Sequence, residues 1–463
     1  MKPYLNYFFA ALIICGLNVS GQNVKPFQAG DRVAFLGNSI TDGGHYHSYI
    51  WLYYMTHFPN MRITCFNVGV GGDDVKQMTD RFDTDVLTKK PTVITITWGM
   101  NDTGYFEWNQ KDPAVFSKEK VTLAMDRYAF LDAKLKMIPN VKKIFILGSP
   151  YDETTTSNPN NLFHGKAAAF DQLISFQQAT AIKNGWGYVD FFRPMTAINL
   201  REQKANPAFS LTPNDRIHPD NDGHLVMTYL FLKAQGLANK VVADISINAS
   251  NRRTEKAINC AITNVASTNE SVSFDYLANS LPYPLDTIPR GWGNKKKQSQ
   301  ALQFIPFNQE FDKELLTVNG LKDGNYLLTI DNQPIATYTA QQLSAGVNLA
   351  EQTNTPQYRQ ATIIRELNED RWEMERKTRE YAYVSYDLLR GKGLLFADNI
   401  AAMDAVEKEA RKNPFINGDK GTYMKMQFKL YRDTWQKEMN VIIDEIYTIN
   451  KPVKHNIKLT KAK

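Results

Sequence analysis

The sequence predicts an α/β fold, in which a three-layer α/β/α domain with a parallel sheet is followed by a small antiparallel β unit and a C-terminal helical region. Three observations support this. Up to about residue 236, short runs rich in Val, Ile, Phe and Thr alternate with longer helical stretches. After residue 238 the strand-like runs are separated by turn signals. From residue 356 charged and aromatic residues recur at helical spacing.

Length and composition indicate several folded units. A chain of 463 residues is longer than one core normally serves, since domains usually hold about 100–200 residues. We place the units at 22–238, 239–350 and 351–463. With 43% hydrophobic and 22% charged residues, the chain is neither disordered nor a multi-span membrane protein. The net charge is only +6, and the lysines and arginines are mostly interleaved with acidic residues. The clustered positive charge that binds nucleic acid is therefore missing.

The N-terminus has the pattern of a secretory signal peptide over residues 1–21. Lys2 precedes an apolar run at 7–17, which is too short to remain as a transmembrane helix. We therefore expect a secreted or periplasmic protein without stable membrane insertion. A lipid anchor at Cys15 is the alternative, although Ile14 is larger than the residue that such anchors prefer. Only two further cysteines follow, so a disulfide framework is not expected.

The first domain alternates strands and helices. Predicted strands cover 32–36, 62–68, 92–98 and 143–147, and predicted helices cover 48–58, 73–87, 113–137 and 162–183. The strands show little polar alternation, as expected when both faces of a sheet are covered. Ligands bind at the carboxyl ends of such strands, so the loops that follow the strands are the expected site.

The remaining units carry no motif. Strands of the β unit are predicted at 241–247, 261–265, 271–276, 315–318, 326–330 and 335–338. Helices are predicted from 356 to 390, at 399–411 and at 423–450, folded back as a hairpin. The basic tail from residue 451 is expected to fray.

A candidate nucleophile lies directly after the first strand. Residues 37–41 (Gly-Asn-Ser-Ile-Thr) place Ser39 on a turn at the carboxyl end of that strand. A serine hydroxyl needs a base to accept its proton and donors to hold the oxyanion. Residues 215–218 (Asp-Arg-Ile-His) can supply the base, His218, and a carboxylate that orients it, Asp215. Taken alone, a structural turn for the first segment and a surface loop for the second are the alternatives to a catalytic role.

Two further segments can supply oxyanion donors. Residues 67–73 (Asn-Val-Gly-Val-Gly-Gly-Asp) end the second strand, and the Gly72 N–H can approach a ligand without a side chain in the way. Residues 99–102 (Gly-Met-Asn-Asp) end the third strand and offer the Asn101 amide. The alternative for both segments is ordinary turn and cap chemistry.

In this order the four segments resemble the blocks of the SGNH hydrolase family, also called GDSL-like esterases and lipases. The resemblance covers residues 31–236 and implies a flavodoxin-like domain. It implies Ser39 as nucleophile, His218 as general base and acid, and Asp215 as the group that orients the imidazole. One departure is Asn38, which stands where the family usually has aspartate and puts local hydrogen bonding in question.

The same resemblance implies an oxyanion hole made of the Ser39 and Gly72 N–H groups and the Asn101 amide. Gly69 and Gly71 remain alternatives to Gly72, which is favoured because it directly precedes Asp73.

The expected function is hydrolysis of short-chain, chiefly acetyl, esters on carbohydrate through an acyl-enzyme. A lipase or lysophospholipase and a non-catalytic glycan-binding protein are the alternatives. No cofactor or metal is expected, since the sequence has neither a His/Glu metal spacing nor a phosphate-binding loop. The substrate is then a small-molecule or polysaccharide ester, and nucleic acid is not an expected partner.

Two other groups of side chains lie near these motifs. His45 and His47 follow Ser39 and either line the pocket or are exposed residues ahead of a helix. An aromatic cluster surrounds the Asn101 loop and either forms a wall suited to sugar rings or packs in the core. Its members are Trp98, Tyr105, Phe106 and Trp108.

Overall fold

The computed structural model describes residues 24–291 and 293–462. The predicted signal peptide therefore lies outside the described residues. The first domain holds a five-stranded parallel sheet in the order β2-β1-β3-β4-β5. Its strands are β1 (Arg32–Gly37), β2 (Thr64–Gly69), β3 (Val93–Ile96), β4 (Lys142–Leu147) and β5 (Gly187–Asp190). This strand order is that of flavodoxin-like folds, which confirms the predicted α/β architecture.

Helices connect the strands of this sheet. They are α1 (Ser39–Asp42), α2 (Tyr46–His57), α3 (Val75–Asp80), α4 (Pro113–Lys136), α5 (Lys166–Asn184), α6 (Phe192–Glu202) and α7 (Asn221–Ala234). The central strands are buried on both faces, and Val33, Phe35 and Ile94 are fully covered. The prediction omitted β5, because its four residues include a glycine and two half-buried positions and give too short an apolar signal.

The β unit consists of two sheets around a shared apolar core. One has the order β13-β10-β6-β7 and the other β12-β11-β14-β9-β8. The strands are β6 (Ala243–Asn248), β7 (Arg253–Ile258), β8 (Cys260–Ser267), β9 (Ser271–Ala278), β10 (Glu314–Asn319), β11 (Asn325–Ile330), β12 (Gln333–Thr339), β13 (Val347–Asn348) and β14 (His455–Lys461). Pairing is antiparallel except between β6 and β10, which run parallel. The short helix α9 (Ala340–Ala345) packs in this core, whereas the phenylalanines of α8 (Phe307–Phe311) pack in the core of the first domain.

The expectation that the C-terminal tail frays is wrong. Residues 455–461 form β14, which pairs with β9 on one side and β11 on the other. His455, Ile457 and Leu459 are buried, and the residues between them are exposed. This alternation with a period of two is typical of a strand. The prediction missed it because it relied on the basic composition of the tail.

The C-terminal helical region packs on the first domain. Its helices are α10 (Pro356–Tyr383), α11 (Ile400–Ala410), α12 (Pro414–Met426) and α13 (Lys429–Ile449). The 28-residue α10 contacts α2 and β2 of the first domain as well as α12 and α13 of its own region. Across the described part of the chain, no helix combines the length and the apolar character needed to cross a membrane.

Candidate active site

Ser39 is the first residue of α1 and directly follows the carboxyl end of β1. Asn38 caps this helix, and its side-chain oxygen accepts the Ile40 N–H at 3.1 Å. The asparagine therefore makes the capping hydrogen bond that its replacement of aspartate had put in question. As the first helical residue, Ser39 has a backbone N–H without an intrahelical acceptor, so this N–H is available to a ligand.

Ser39, His218 and Asp215 form a hydrogen-bonded chain. His218 Nε2 lies 2.7 Å from Ser39 Oγ, and His218 Nδ1 lies 2.5 Å from Asp215 Oδ2. With Nδ1–H donating to the carboxylate, Nε2 accepts from the serine hydroxyl. The His218 and Asp215 side chains are 32% and 27% exposed, so a substrate can reach these hydrogen-bonded residues.

The loop that carries His218 also holds Asp215 in place. Asp215 Oδ1 accepts the backbone N–H groups of Ile217 and His218 at 2.9 and 2.8 Å. Burial of Asp215 would raise its pKa, but the hydrogen bond and the charge of His218 outweigh burial and lower the pKa below its usual value. Asp215 therefore stays ionised and stabilises a protonated His218.

The structure distinguishes between the three candidate glycines of the second loop. The Gly69 N–H donates to Asn67 Oδ1 at 2.9 Å, and the Gly71 N–H donates to Asp42 Oδ2 at 3.0 Å. Gly72 is exposed, has a φ of +80° and lines the same cavity as Ser39. Within the described residues its N–H has no hydrogen-bond partner. The geometry thus favours Gly72 as the donor.

Asn101 lines this cavity from the loop after β3. Its Nδ2 donates to the Asp73 carbonyl at 2.8 Å, and its Oδ1 accepts the Tyr105 hydroxyl at 2.5 Å. These two bonds fix the orientation of the amide, and Nδ2 keeps a second hydrogen for a ligand. Asn101 is thus placed as a second candidate oxyanion donor.

Lys166 supports the Asn101 loop and was not predicted. Its buried ammonium donates to the carbonyls of Met100 and Gly104, both at 2.7 Å, and to the Thr103 hydroxyl at 2.6 Å. Burial lowers the pKa of Lys166 well below its usual value. No local pattern indicates that a lysine at the start of α5 reaches back to this loop.

A buried charge network supports the first two loops. Arg81 donates to the Gly37 carbonyl, to Asp73 and to Asp85. Arg379, on α10, donates to the Gly69 carbonyl at 2.8 Å and also binds Asp85, at 2.6 Å. The C-terminal helical region is therefore joined to the loops that precede Ser39 and Gly72.

The predicted site residues line one cavity of about 560 Å³. Besides Ser39, Gly72, Asn101, Asp215 and His218, its walls include residues of the first domain and of the C-terminal helical region. These are Asp42, Gly71, Tyr105, Phe106, Asn161, Phe163 and Ile217 from the first domain, and Tyr383, Pro414, Phe415, Gly418 and Asp419 from the helical region. A second cavity of about 350 Å³ also reaches Ser39 and His218. Both cavities are therefore in reach of the serine and can hold parts of an ester.

The structure shows which of the neighbouring aromatic and histidine residues line the cavity and which are buried in the core. Trp98 and Trp108 are buried core residues, whereas Tyr105 and Phe106 line the cavity. Both expectations for His45 and His47 are wrong, because these side chains are 0% and 1% exposed and are not among the cavity-lining residues. His45 bonds to Glu369 and stacks on Trp372, both on α10. His47 contacts the Thr41 carbonyl.

Among the described residues, no group of three His, Cys, Asp or Glu side chains is placed to hold a metal ion.

Two family models match this chain. Residues 35–226 match the GDSL-like Lipase/Acylhydrolase family, and residues 362–451 match the diltiazem deacetylase C-terminal helical domain. The first match includes all of the predicted site residues, and the second includes Tyr383, Phe415 and Asp419 of the cavity wall.

Individual proteins are similar to all or part of this chain. The structure of a gut microbial diltiazem-metabolizing enzyme is 48% identical, with a TM-score of 0.92, and covers 95% of this chain and 100% of its own. An acetylxylan esterase from Geobacillus stearothermophilus is 25% identical over 223 residues, which are 45% of this chain and 95% of that protein. A solved structure of an acetylxylan esterase from that organism is 26% identical over 45% of this chain and 95% of its own, with a TM-score of 0.35.

The family matches and the relatives agree with the expected enzyme class and not with a non-catalytic binding protein. The chain belongs to the SGNH hydrolase family of GDSL-like lipases and acylhydrolases, and it is a carboxylic ester hydrolase.

Proposed function

We propose that the protein is an acetylesterase that works through an acyl-enzyme on Ser39. The observation that carries this proposal is the chain from Ser39 Oγ to His218 Nε2 at 2.7 Å and from His218 Nδ1 to Asp215 at 2.5 Å. Ser39 attacks the ester carbonyl carbon while His218 accepts the hydroxyl proton. The N–H groups of Ser39 and Gly72 and the Asn101 amide hold the oxyanion.

Collapse of the tetrahedral intermediate breaks the bond between the carbonyl carbon and the alcohol oxygen. His218 returns its proton to the departing alcohol, and the acetyl group stays on Ser39. Water then attacks this ester with His218 again as base, which releases acetate and restores the serine. Throughout, ionised Asp215 holds the imidazole and stabilises its charged form.

For the alcohol part, the relatives favour a small molecule. The protein that is similar over 95% of the chain is described as diltiazem-metabolizing, and the helical domain matched at 362–451 is named for a diltiazem deacetylase. That helical region contributes Tyr383 and Phe415 to the cavity beside Ser39. We therefore place diltiazem and similar aromatic acetyl esters first among candidate substrates.

Acetylated carbohydrate is the second candidate, as expected from the sequence. It is favoured by the acetylxylan esterase relative and by Tyr105 and Phe106, whose rings line the cavity and can stack on a sugar. A lipase would instead need room for a long acyl chain.

Acetate release by the wild type and Ser39→Ala tests the proposal. We expect the wild type to release acetate from p-nitrophenyl acetate and from diltiazem, and Ser39→Ala to lose about 10³-fold or more in kcat. Ser117→Ala, on α4 and away from the cavity, is the control. Equal activity of Ser39→Ala and the wild type would refute the mechanism. Faster acetate release from acetylated xylooligosaccharides would favour the carbohydrate candidate, and faster cleavage of p-nitrophenyl palmitate a lipase.

We also infer that the chain is exported, from the signal-peptide pattern of residues 1–21. Expression in a bacterial host and N-terminal sequencing of the product test this inference. A product that begins near Gln22 in the periplasm or medium is expected, and an intact N-terminus on intracellular protein would contradict export.

A further inference from the structure

Two carboxyl groups line the cavity beside Ser39 without a role in the proposed chemistry. Asp42 ends α1, three residues after the serine, and is 6% exposed. Asp419 lies on α12 in the C-terminal helical region and is half-buried. The first domain and the helical region thus each place one carboxyl group where the substrate of Ser39 binds.

Neither carboxyl group is paired with a cation in the described residues. Asp42 Oδ2 accepts the Gly71 N–H at 3.0 Å, and its other oxygen accepts no hydrogen bond from the described part of the chain. No Lys, Arg or His nitrogen of those residues lies within 4.0 Å of either Asp42 or Asp419. Both groups therefore keep hydrogen-bonding capacity toward the cavity.

The charged groups of α10 that act on these carboxyls have other partners. Arg379 binds Asp85 in the buried network. Arg376 and Lys377 both bind Glu380, at 2.6 and 2.8 Å. These cations influence Asp42 and Asp419 electrostatically, but they donate their hydrogen bonds to other residues.

Burial raises the pKa of both carboxyl groups to about 7. For Asp42 the opposing charges of Arg379 and Arg376 offset only part of this effect. For Asp419 the like charges of Glu380 and Asp42 raise the pKa further. A cation bound between the two carboxyls would relieve this repulsion.

Aromatic rings line the same cavity as the two carboxyl groups. Tyr383 and Phe415 come from the helical region, and Tyr105, Phe106 and Phe163 come from the first domain. Aromatic faces attract ammonium groups, including quaternary ones that donate no hydrogen bond. A wall of carboxyls and aromatic rings suits an organic cation better than a neutral sugar or a fatty chain.

We propose that this cavity selects acetyl esters whose alcohol part carries an ammonium group, held by Asp42 and Asp419 among the aromatic rings. This inference rests on the proposed function, because it takes Ser39 as the group that attacks the bound ester. In this arrangement the cation is anchored in the cavity, and the acetyl carbonyl lies at the serine.

Acetylcholine and 3,3-dimethylbutyl acetate form a matched pair of substrates, because they differ only in a quaternary nitrogen against a carbon atom. We expect the wild type at pH 8 to show a kcat/KM about tenfold or more higher for acetylcholine, as one cation–aromatic and carboxylate site would give. Asp419→Asn should reduce this ratio severalfold. Asp404→Asn, an exposed position on α11, removes the same charge outside the cavity and should leave the ratio unchanged.

The preference should also depend on pH. Both carboxyls have a pKa of about 7, so they become ionised as the pH rises from 6 to 8, and the ratio should increase over that range. The charge of acetylcholine does not titrate, and any titration of the catalytic groups affects both esters and cancels in the ratio. A ratio that is flat with pH would contradict the role of these carboxyls.

Binding of phenyltrimethylammonium to Ser39→Ala, measured by calorimetry, tests the site without turnover. Binding to Ser39→Ala that is lost when Asp419→Asn is added supports the cation site. If the wild type binds the cation in this way but hydrolyses neither ester, only the proposed function is refuted. Hydrolysis of both esters at equal rates without binding of phenyltrimethylammonium would overturn the cation site and leave the esterase proposal intact.

Discussion

The two walls of the active-site cavity differ in origin and in the work that their residues can do. The wall from the first domain holds Ser39, Gly72 and Asn101, which follow parallel strands, and His218, which lies between α6 and α7. The wall from the helical region offers Tyr383, Phe415 and Asp419, and none of its residues belongs to the hydrogen-bonded chain of the serine. From this difference we infer a division of work, in which the first domain carries the chemistry alone and the helical region contributes only to the selection of the substrate.

The largest expected effect concerns the first-domain wall, which carries Ser39 and His218. His218→Ala removes the base, so we expect kcat to fall by about 10³-fold or more for every ester, while the melting temperature stays near that of the wild type. His164→Ala, which removes an exposed histidine outside the cavity, is the control. Stopped assays with p-nitrophenyl acetate measure the loss, and a loss below tenfold would remove His218 from the mechanism.

The next prediction concerns the connection between the walls. Arg379→Met leaves Asp85 buried with Arg81 as its remaining partner, so we expect about 3–5 kcal/mol lower unfolding free energy. Urea denaturation measures this change. Arg390→Met breaks a more exposed pair with Asp80, at 3.5 Å, and should cost at most about 1 kcal/mol. Equal losses in the two variants would show that the buried network does not hold the walls together.

A third prediction sharpens the view of the oxyanion hole. Asn101→Ala should lower kcat about 10²–10³-fold if its amide holds the oxyanion. Asn161→Ala removes another amide that lines the cavity and should change kcat little. Comparing both variants on p-nitrophenyl acetate decides the matter, and a loss below tenfold for Asn101→Ala would exclude this amide as a donor.

The first wall could be predicted from the sequence because its residues obey a topological rule. Parallel strands end at one edge of a sheet, so segments that follow β1, β2 and β3 had to lie near one another. The 215–218 segment fits the same edge, since three residues let a carboxylate and an imidazole share one turn. The hydrogen bonds of Gly69 and Gly71, which favour Gly72, needed coordinates.

The second wall could not be predicted, because its contacts are long-range and lack a local signal. Arg379 and Asp85 are 294 residues apart, and nothing near either residue indicates the other. The same holds for Lys166, which reaches a loop 62–66 residues earlier. Asp42, in contrast, directly follows the serine block, so its carboxyl could have been considered from the sequence alone.

The most direct test of this division compares kcat and KM for a large and a small ester in Phe415→Ala. We expect KM for diltiazem to rise about three- to tenfold more than KM for p-nitrophenyl acetate, since the ring removes apolar surface from water only against the larger alcohol. Phe130→Ala, a similarly exposed phenylalanine on α4, is the control. If Phe415→Ala instead lowers kcat for both esters by one large factor, the helical wall takes part in the chemistry and the division is wrong.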